Sequence, residues 1–149
     1  MSSVPIPDET AELAGRLRLT VTRLARQLRQ TSDSDLSPTQ SAVLATLAGH
    51  GPVTLGELAE LERVASPTIT KVIALLHDRG LVDKITDPAD RRFVRVQLTA
   101  EGGALVERTR ARKTAWLARQ LQDLSPQELQ RLAAATEVLE RLTARRIPR

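Results

Sequence analysis

The chain has 149 residues, 41% of them hydrophobic and 27% charged, which is enough for one compact domain with a buried core. It contains no cysteine and only 1% aromatic residues, which excludes disulfides, thiolate metal sites and cysteine nucleophiles and disfavours platforms that stack single-stranded bases. The formal net charge is +4, and its distribution along the chain is more informative than its sum.

A long amphipathic helix is predicted near the N-terminus, over residues 8–30. Apolar residues recur there at steps of three or four: Leu13, Leu17, Val21, Leu24 and Leu28. This spacing places them on one stripe of a helix that is roughly 33 Å long at 1.5 Å per residue. The polar segment 31–35 that follows is predicted to end the helix.

Three capping boxes mark further helix starts, at Ser37–Gln40, Thr54–Glu57 and Ser125–Glu128. In each, a hydroxyl and a Gln or Glu side chain can satisfy amide groups that the first turn leaves free. The first box predicts a helix that stops at the Gly/Pro-rich segment 49–52. The second predicts a short helix to about Leu61, and the third a C-terminal helix.

The central part of the chain predicts a helix followed by a hairpin and another helix. Ser66-Pro67 begins a helix without a box partner, with Ser66 expected as its cap, and the helix runs to Arg79 before Gly80. Strands are predicted over 81–85 and 93–98, with a polar turn between them. Thr99 is expected to cap a helix from residue 100 to about 121.

The helix over residues 66–79 has two distinct faces. An apolar face, which must point to the core, contains Ile69, Val72, Ile73 and Leu76. A small, polar and singly basic face contains Pro67, Thr70, Lys71 and Ala74. Short side chains with hydroxyl and ammonium groups suit the major groove of DNA, whereas an ordinary amphipathic helix would show the same pattern.

Basic charge is concentrated in the C-terminal two-thirds of the chain. Residues 1–36 have no net charge and residues 37–65 a net charge of −2. Residues 66–98 carry +2 and residues 99–149 carry +4. This distribution suits a polyanionic partner, although a solvated, Arg-rich helix surface would also produce it.

The predicted hairpin carries basic residues at its tip and on its strands: Lys84, Arg91, Arg92 and Arg95. A tip with two arginines can reach a phosphate or a narrow minor groove, where the negative potential is concentrated. Asp87 and Asp90 do not suit a purely cationic tip. A carboxylate at Asp90 can instead hold an arginine side chain in one orientation.

Three segments resemble the MarR family of bacterial transcription regulators. Residues 86–102, Thr-Asp-Pro-Ala-Asp-Arg-Arg through Val-Gln-Leu-Thr-Ala-Glu-Gly, look like that family's wing and the start of the following helix. Residues 66–73, followed by Leu76 and Gly80, look like its recognition helix, and residues 36–44 like its second helix. The resemblance spans about residues 10–145.

The resemblance implies particular DNA-binding residues. Arg92 would enter the minor groove from the wing, beside Arg91, and Asp90 would support Arg92. Five further residues would lie at or beside the major groove: Ser66, Pro67, Thr68, Thr70 and Lys71. The family also implies a small aromatic or phenolic effector bound where the dimer helices meet the winged helix, but the sequence does not identify the pocket residues.

We therefore expect a mainly α fold with a small β-hairpin: a winged helix-turn-helix at residues 37–99, flanked by long dimerisation helices at 8–30 and 100–145. The apolar stripes of the flanking helices exceed what a module of about 60 residues can cover. A partner subunit is the expected acceptor and makes the protein a homodimer. The alternative is that these helices pack on one another within one chain.

The predicted function is sequence-specific regulation of transcription, as a homodimeric repressor that binds a pseudo-palindromic operator in double-stranded DNA and is released by an effector. A winged-helix protein-protein adaptor and an architectural DNA-binding protein without sequence specificity are the alternatives. An enzyme is not expected, because the serines lie at helix starts and His50 and His77 have no neighbours that suggest a triad or a metal site. No cofactor or metal is expected.

No apolar run approaches the roughly 20 residues that a membrane-spanning helix needs. The segment Met1–Asp8 lacks the basic and apolar regions of a secretory signal. A cytoplasmic protein without a membrane segment is therefore expected.

Overall fold

The computed structural model describes residues 7–32 and 35–144. Its elements are α1 (Asp8–Gln30), α2 (Pro38–His50), β1 (Val53–Thr54), α3 (Leu55–Glu62), α4 (Ser66–Asp78), β2 (Val82–Thr86), β3 (Val94–Leu98), α5 (Ala100–Leu121) and α6 (Pro126–Ala144). This order confirms the mainly helical fold with a small hairpin. Most of Met1–Asp8, part of the polar segment 31–35 and the end of segment 100–145 lie outside the described residues.

All three predicted capping boxes are present. The backbone N–H of Gln40 donates to Ser37 Oγ over 3.2 Å, and the Ser37 N–H donates to Gln40 Oε1 over 3.0 Å. The boxes of Thr54 and Ser125 have the same two hydrogen bonds. At Ser125, the bonds that the box makes to Glu128 hold the pKa of that carboxyl below its usual range.

The prediction that Ser66 caps α4 is wrong. The N-cap is Ala65, whose side chain makes no capping bond, and Ser66 is the first residue of the helix. The Ala65 carbonyl accepts the N–H groups of Thr68 and Ile69 over 3.0 and 3.1 Å. The turn after α3 therefore starts α4 one residue earlier than the Ser-Pro pair suggested, and Pro67 occupies a first-turn position where no N–H is needed.

The sheet has one strand more than predicted. β2 and β3 form the expected antiparallel hairpin, each starting one residue later than its predicted strand. β1, with only two residues, pairs with β3 through Val53 and Val96, so the strand order is β1-β3-β2. The strands of the sheet therefore come from both sides of the helix-turn-helix in the chain, because β1 precedes it and β2 follows it.

The hydrophobic core lies among α2, α3, α4, the sheet and the first part of α5. Its buried residues are Val43, Leu44, Leu47, Val53, Leu58, Ala59, Ile69, Val72, Ile73, Leu76, Leu81, Val82, Val96 and Val106. The predicted apolar face of α4 is thus confirmed as buried. This packing fixes the orientation of α4, so its opposite face points to solvent.

The end of α4 is a Schellman motif. Gly80 has a φ of 72°, which glycine adopts without steric penalty. The Gly80 N–H donates to the His77 carbonyl over 2.9 Å, and the Leu81 N–H donates to the Leu76 carbonyl over 3.0 Å. Because Leu81 completes the helix end, the paired strand begins only at Val82.

The start of α5 is tied to this helix end through Thr99. The Thr99 hydroxyl donates to the Gly80 carbonyl over 2.7 Å and accepts the Gly102 N–H over 3.0 Å. The Thr99 N–H donates to the Leu81 carbonyl over 3.1 Å. The predicted cap at Thr99 is confirmed, and its hydroxyl joins two helices.

The terminal helices leave apolar side chains uncovered on a single chain. α1 and α6 contain no buried residue. Their exposed apolar residues are Leu13, Leu19, Val21, Leu24, Leu129, Leu132, Val138 and Leu142. The chain divides into two compact units between Lys113 and Thr114, and within the described residues no helix is long and apolar enough to cross a membrane.

Candidate nucleic-acid interface

A three-residue turn, 63–65, joins α3 to α4. α3 ends with a second Schellman motif, in which Arg63 takes the left-handed position usually held by glycine, at φ 54° and ψ 43°. The Arg63 N–H donates to the Glu60 carbonyl over 3.2 Å, and the Val64 N–H to the Ala59 carbonyl over 3.0 Å. The compact turn makes α3 and α4 a helix-turn-helix, and the sequence pattern gave no sign of a strained residue within it.

The outer face of α4 carries the predicted major-groove residues, all exposed: Ser66, Pro67, Thr68, Thr70 and Lys71. The Thr70 hydroxyl donates to the Ser66 carbonyl over 3.0 Å. Its proton is therefore engaged, and its free lone pairs can accept a hydrogen bond from outside. Lys71 forms no ion pair with any described residue, so its ammonium is available to an external acceptor.

Two side-chain turns shape the wing loop between β2 and β3. Asp87 Oδ1 accepts the Ala89 N–H over 2.9 Å, and Asp90 Oδ1 accepts the Arg92 N–H over 3.1 Å. The base of the loop is closed by the Asp87 N–H, which donates to the Phe93 carbonyl over 2.9 Å. The two aspartates therefore give the loop a defined conformation, as such residues do in turns.

Asp90 holds the Arg92 guanidinium through two parallel hydrogen bonds. Arg92 Nε lies 3.0 Å from Asp90 Oδ1, and Arg92 Nη2 lies 2.8 Å from Oδ2. The pairing lowers the pKa of Asp90 and raises that of Arg92. The Arg92 side chain is still 86% exposed, so the carboxylate fixes its direction without covering it. Asp90 therefore does hold an arginine in one orientation, as the sequence suggested.

The basic residues of the wing divide into two kinds. Arg91 and Lys84 are exposed and form no ion pair with a described residue. Arg95 instead faces two carboxylates: its Nε lies 2.8 Å from Asp87 Oδ2 and its Nη1 3.6 Å from Glu57 Oε2. The sequence identified Arg95 as a basic residue of the hairpin but gave no indication of these ion pairs.

A cavity of about 310 Å³ lies between α1, α2 and α5. Its lining is mostly small and apolar, with two cationic side chains: Arg29, Ser32, Leu36, Pro38, Ser41, Ala42, Ala45 and Lys113. Such a cavity suits a small ligand with an apolar body and a negative group. The sequence alone did not identify these residues.

The helix-turn-helix, the three-stranded sheet and the extended loop together define a winged-helix DNA-binding protein. Residues 34–92 match the model of the MarR family. An HTH-type transcriptional regulator of Mycobacterium tuberculosis is 41% identical over 133 residues, which cover 89% of this chain and 93% of that protein.

Two further proteins extend the comparison. The transcriptional repressor MdtR of Bacillus subtilis is 30% identical over 112 residues, covering 75% of this chain and 72% of that protein. A solved structure from Pseudomonas aeruginosa superposes with a TM-score of 0.86 at 33% identity, covering 95% of this chain and all of that one. This chain belongs to the MarR family and is a DNA-binding transcriptional regulator.

Proposed function

We propose that the protein is a homodimeric repressor that binds a pseudo-palindromic operator and is released by a small anionic effector in the cytoplasm. The observation that carries this proposal is the pair of exposed surfaces on one winged helix. One is the Thr70 and Lys71 face of α4, and the other is Arg92, oriented by Asp90. With these side chains exposed, α4 suits the major groove of DNA and the wing loop suits the adjacent minor groove.

Each exposed group has a distinct task in this proposal. Thr70 and Lys71 contact base edges, with Ser66, Pro67 and Thr68 beside them near the backbone. Arg92 occupies the minor groove, where a fixed guanidinium loses less side-chain entropy on binding than a free one would. Arg91, which forms no ion pair with any residue that the structure describes, neutralises a phosphate.

The uncovered apolar faces of α1 and α6 support a homodimer formed by residues 8–30 and 100–145. None of the described side chains of these two helices is buried within the chain, which favours a partner subunit over packing within one chain. A two-fold dimer presents its two α4 helices symmetrically. The operator half-sites would then lie about 34–36 Å apart, one turn of DNA.

The cavity between α1, α2 and α5 is the proposed effector site. Arg29 and Lys113 can pair with a carboxylate or phenolate, while Leu36, Ala42 and Ala45 contact an aromatic body. Control by repression is supported by the name of the relative MdtR, a transcriptional repressor. An effector that favours a conformation unable to span both half-sites would release the DNA.

Selection of bound duplexes from a random pool by the purified protein tests the proposal. The expected result is a two-fold symmetric motif and a footprint over two half-sites. Lys71→Ala reduces the motif enrichment. Arg79→Ala, an equal change of charge at the exposed C-cap of α4 and outside both the proposed DNA-contact residues and the proposed dimer helices, does not. Binding without sequence preference would favour an architectural protein, and no binding to duplex DNA would favour a protein-protein adaptor.

A further inference from the structure

Arg95 connects two parts of the winged helix that lie apart in the chain. Its guanidinium contacts Asp87, at the start of the wing loop, over 2.8 Å. A second nitrogen lies 3.6 Å from Glu57, in the first turn of α3. The Arg95 side chain is 33% exposed and that of Asp87 13%, whereas that of Glu57 is 52% exposed, so the half of the bridge at the base of the wing is the less exposed one.

The two carboxylates that Arg95 contacts are themselves fixed by the backbone. Glu57 Oε2 accepts the Thr54 N–H over 2.9 Å as part of the capping box. Asp87 Oδ1 accepts the Ala89 N–H over 2.9 Å. Arg95 therefore joins two rigid points, and the ion pairs raise its pKa, with the Asp87 bond as the largest cause.

The register of the sheet places Arg95 where it can make this connection. It lies on the central strand β3, opposite Thr54 of β1 and opposite Ile85 of β2. Thr54 is the N-cap of α3. The strand pairing of β2 with β3 ends at Thr86 and Val94. Beyond these residues, the conformation of the wing loop depends on the loop's own turns.

We infer that Arg95 is a positioning residue that clamps the wing to α3 and so sets the distance between the minor-groove and major-groove contacts. This inference rests on the proposed function. α3 packs against α4 through the buried core, so a loop fixed to α3 is also fixed relative to the Thr70 and Lys71 face. The clamp then makes the protein sensitive to the spacing between the two DNA elements that these surfaces contact.

Glu57→Gln provides the sharpest test. Glutamine preserves the capping box but removes the charge of Glu57, one of the two carboxylates that Arg95 faces, and leaves the Asp87 contact in place. Loss of a negative charge near DNA strengthens binding if long-range electrostatics dominates. The clamp predicts the opposite sign: binding to the selected operator weakens, roughly three- to tenfold. Glu60→Gln is the matched control, because Glu60 is an exposed carboxylate of the same helix that forms no ion pair with a described residue, and it should bind at least as tightly as the parent.

Operators with altered spacing distinguish the clamp from a loss of stability, because a less stable protein would bind all spacings more weakly but keep its preference among them. An A·T-rich segment, whose narrow minor groove suits the wing arginine, is placed beside the half-site and shifted by one base pair in either direction. The parent protein prefers one spacing, whereas Glu57→Gln and Arg95→Gln bind the three duplexes with similar affinities. Arg95→Lys, which retains the charge and can reach one carboxylate, restores part of the preference.

The outcomes separate the clamp from the proposed function. If the parent shows no preference for any duplex sequence, the proposed function fails. If the parent prefers one spacing and Glu57→Gln keeps that preference while binding as Glu60→Gln does, the clamp is overturned and the function stands. Thermal unfolding of each variant identifies a loss of fold, and Glu57→Gln decides the question if Arg95→Gln does not fold.

Discussion

Gly102 packs directly against the backbone of Leu81: a Cβ atom added at position 102 would lie 2.0 Å from the Leu81 carbonyl oxygen. That oxygen also accepts the Thr99 N–H over 3.1 Å. The first turn of α5 therefore packs against the backbone of the residue that ends the Schellman motif of α4, with no room for a side chain at position 102. Only glycine is compatible with this contact.

Gly102→Ala should destabilise the fold by roughly 1–3 kcal/mol, the range for overpacking a filled site, because a backbone oxygen cannot rotate away. Urea unfolding at fixed protein concentration measures the change. Gly103→Ala is the control, since nothing lies within 4 Å of a Cβ there and alanine is the better helix former by about 1 kcal/mol. Equal effects at the two positions would contradict the close contact.

Arg63→Gly should stabilise the chain by about 1 kcal/mol. Glycine relieves the penalty of about 1–2 kcal/mol that an L-residue carries in the left-handed region, but part of this gain is offset because glycine loses more backbone entropy on folding. Arg63→Ala removes the same side chain and keeps the penalty, so it should give no stabilisation. Chemical denaturation compares the two variants. A glycine variant no more stable than the alanine variant would show that the turn is unstrained.

Arg92→Ala should weaken binding to all duplexes and reduce the slope of log K against log salt by about 0.9, which corresponds to one phosphate contact. Asp90→Ala should produce a weaker form of the same defect, although it removes a negative charge, because Arg92 then loses the bidentate partner that orients it. Fluorescence anisotropy over a salt series measures both. Tighter binding by Asp90→Ala at every salt concentration would show that Asp90 is only a turn residue.

Thr70→Val should cost about 1–3 kcal/mol on the selected operator and leave binding to random duplex unchanged. The Thr70 proton is used on the Ser66 carbonyl, so the hydroxyl can accept a hydrogen bond from the amino group of adenine or cytosine. Thr70→Ser keeps this acceptor and should retain most of the affinity. Lys71→Ala should likewise weaken binding to the operator and leave binding to random duplex unchanged. Competition binding on single-base operator variants locates the base pair concerned.

The ion pairs of Asp87 and Asp90 should persist from neutral pH to below pH 3.8, the ordinary pKa of an aspartate side chain. Arg95 lowers the pKa of Asp87, and Arg92 lowers that of Asp90. A carboxyl with a lowered folded-state pKa stabilises the fold above its unfolded pKa, and that contribution is lost as the pH falls through the folded value. Carboxyl-carbon NMR should give both titration midpoints below 3.8, and Arg92→Ala should raise only the Asp90 midpoint.

The helices were predictable because their signals are local. A capping box is contained within four residues, so Ser37, Thr54 and Ser125 could be identified without any tertiary information. The buried face of α4 followed from the spacing of Ile69, Val72, Ile73 and Leu76 for the same reason. The short range of the Asp90–Arg92 contact also made this pairing predictable, whereas its effect on DNA binding and the DNA contacts of these residues remain predictions.

The features that were missed depend on partners far away in the chain. β1 has two residues and no alternating pattern, so only its pairing with β3 defines it as a strand. The contact of Arg95 with Glu57 could not be predicted, because the register of the sheet brings the two residues together. The error at Ser66 is local instead: a Ser-Pro pair fits both the cap followed by the first helical residue and the first two helical residues, and the N-cap is Ala65.

The pairing of Val53 with Val96 also bears on how the winged helix folds. These two residues lie on either side of the entire helix-turn-helix and wing, so their pairing closes a long loop of chain. Non-local pairing of this kind is entropically unfavourable until the intervening segments are ordered. We therefore expect the sheet to be completed after α3 and α4 have formed and packed, and the enclosed segments to unfold together. Native-state hydrogen exchange of α3 and α4 amides should accordingly report one common opening free energy.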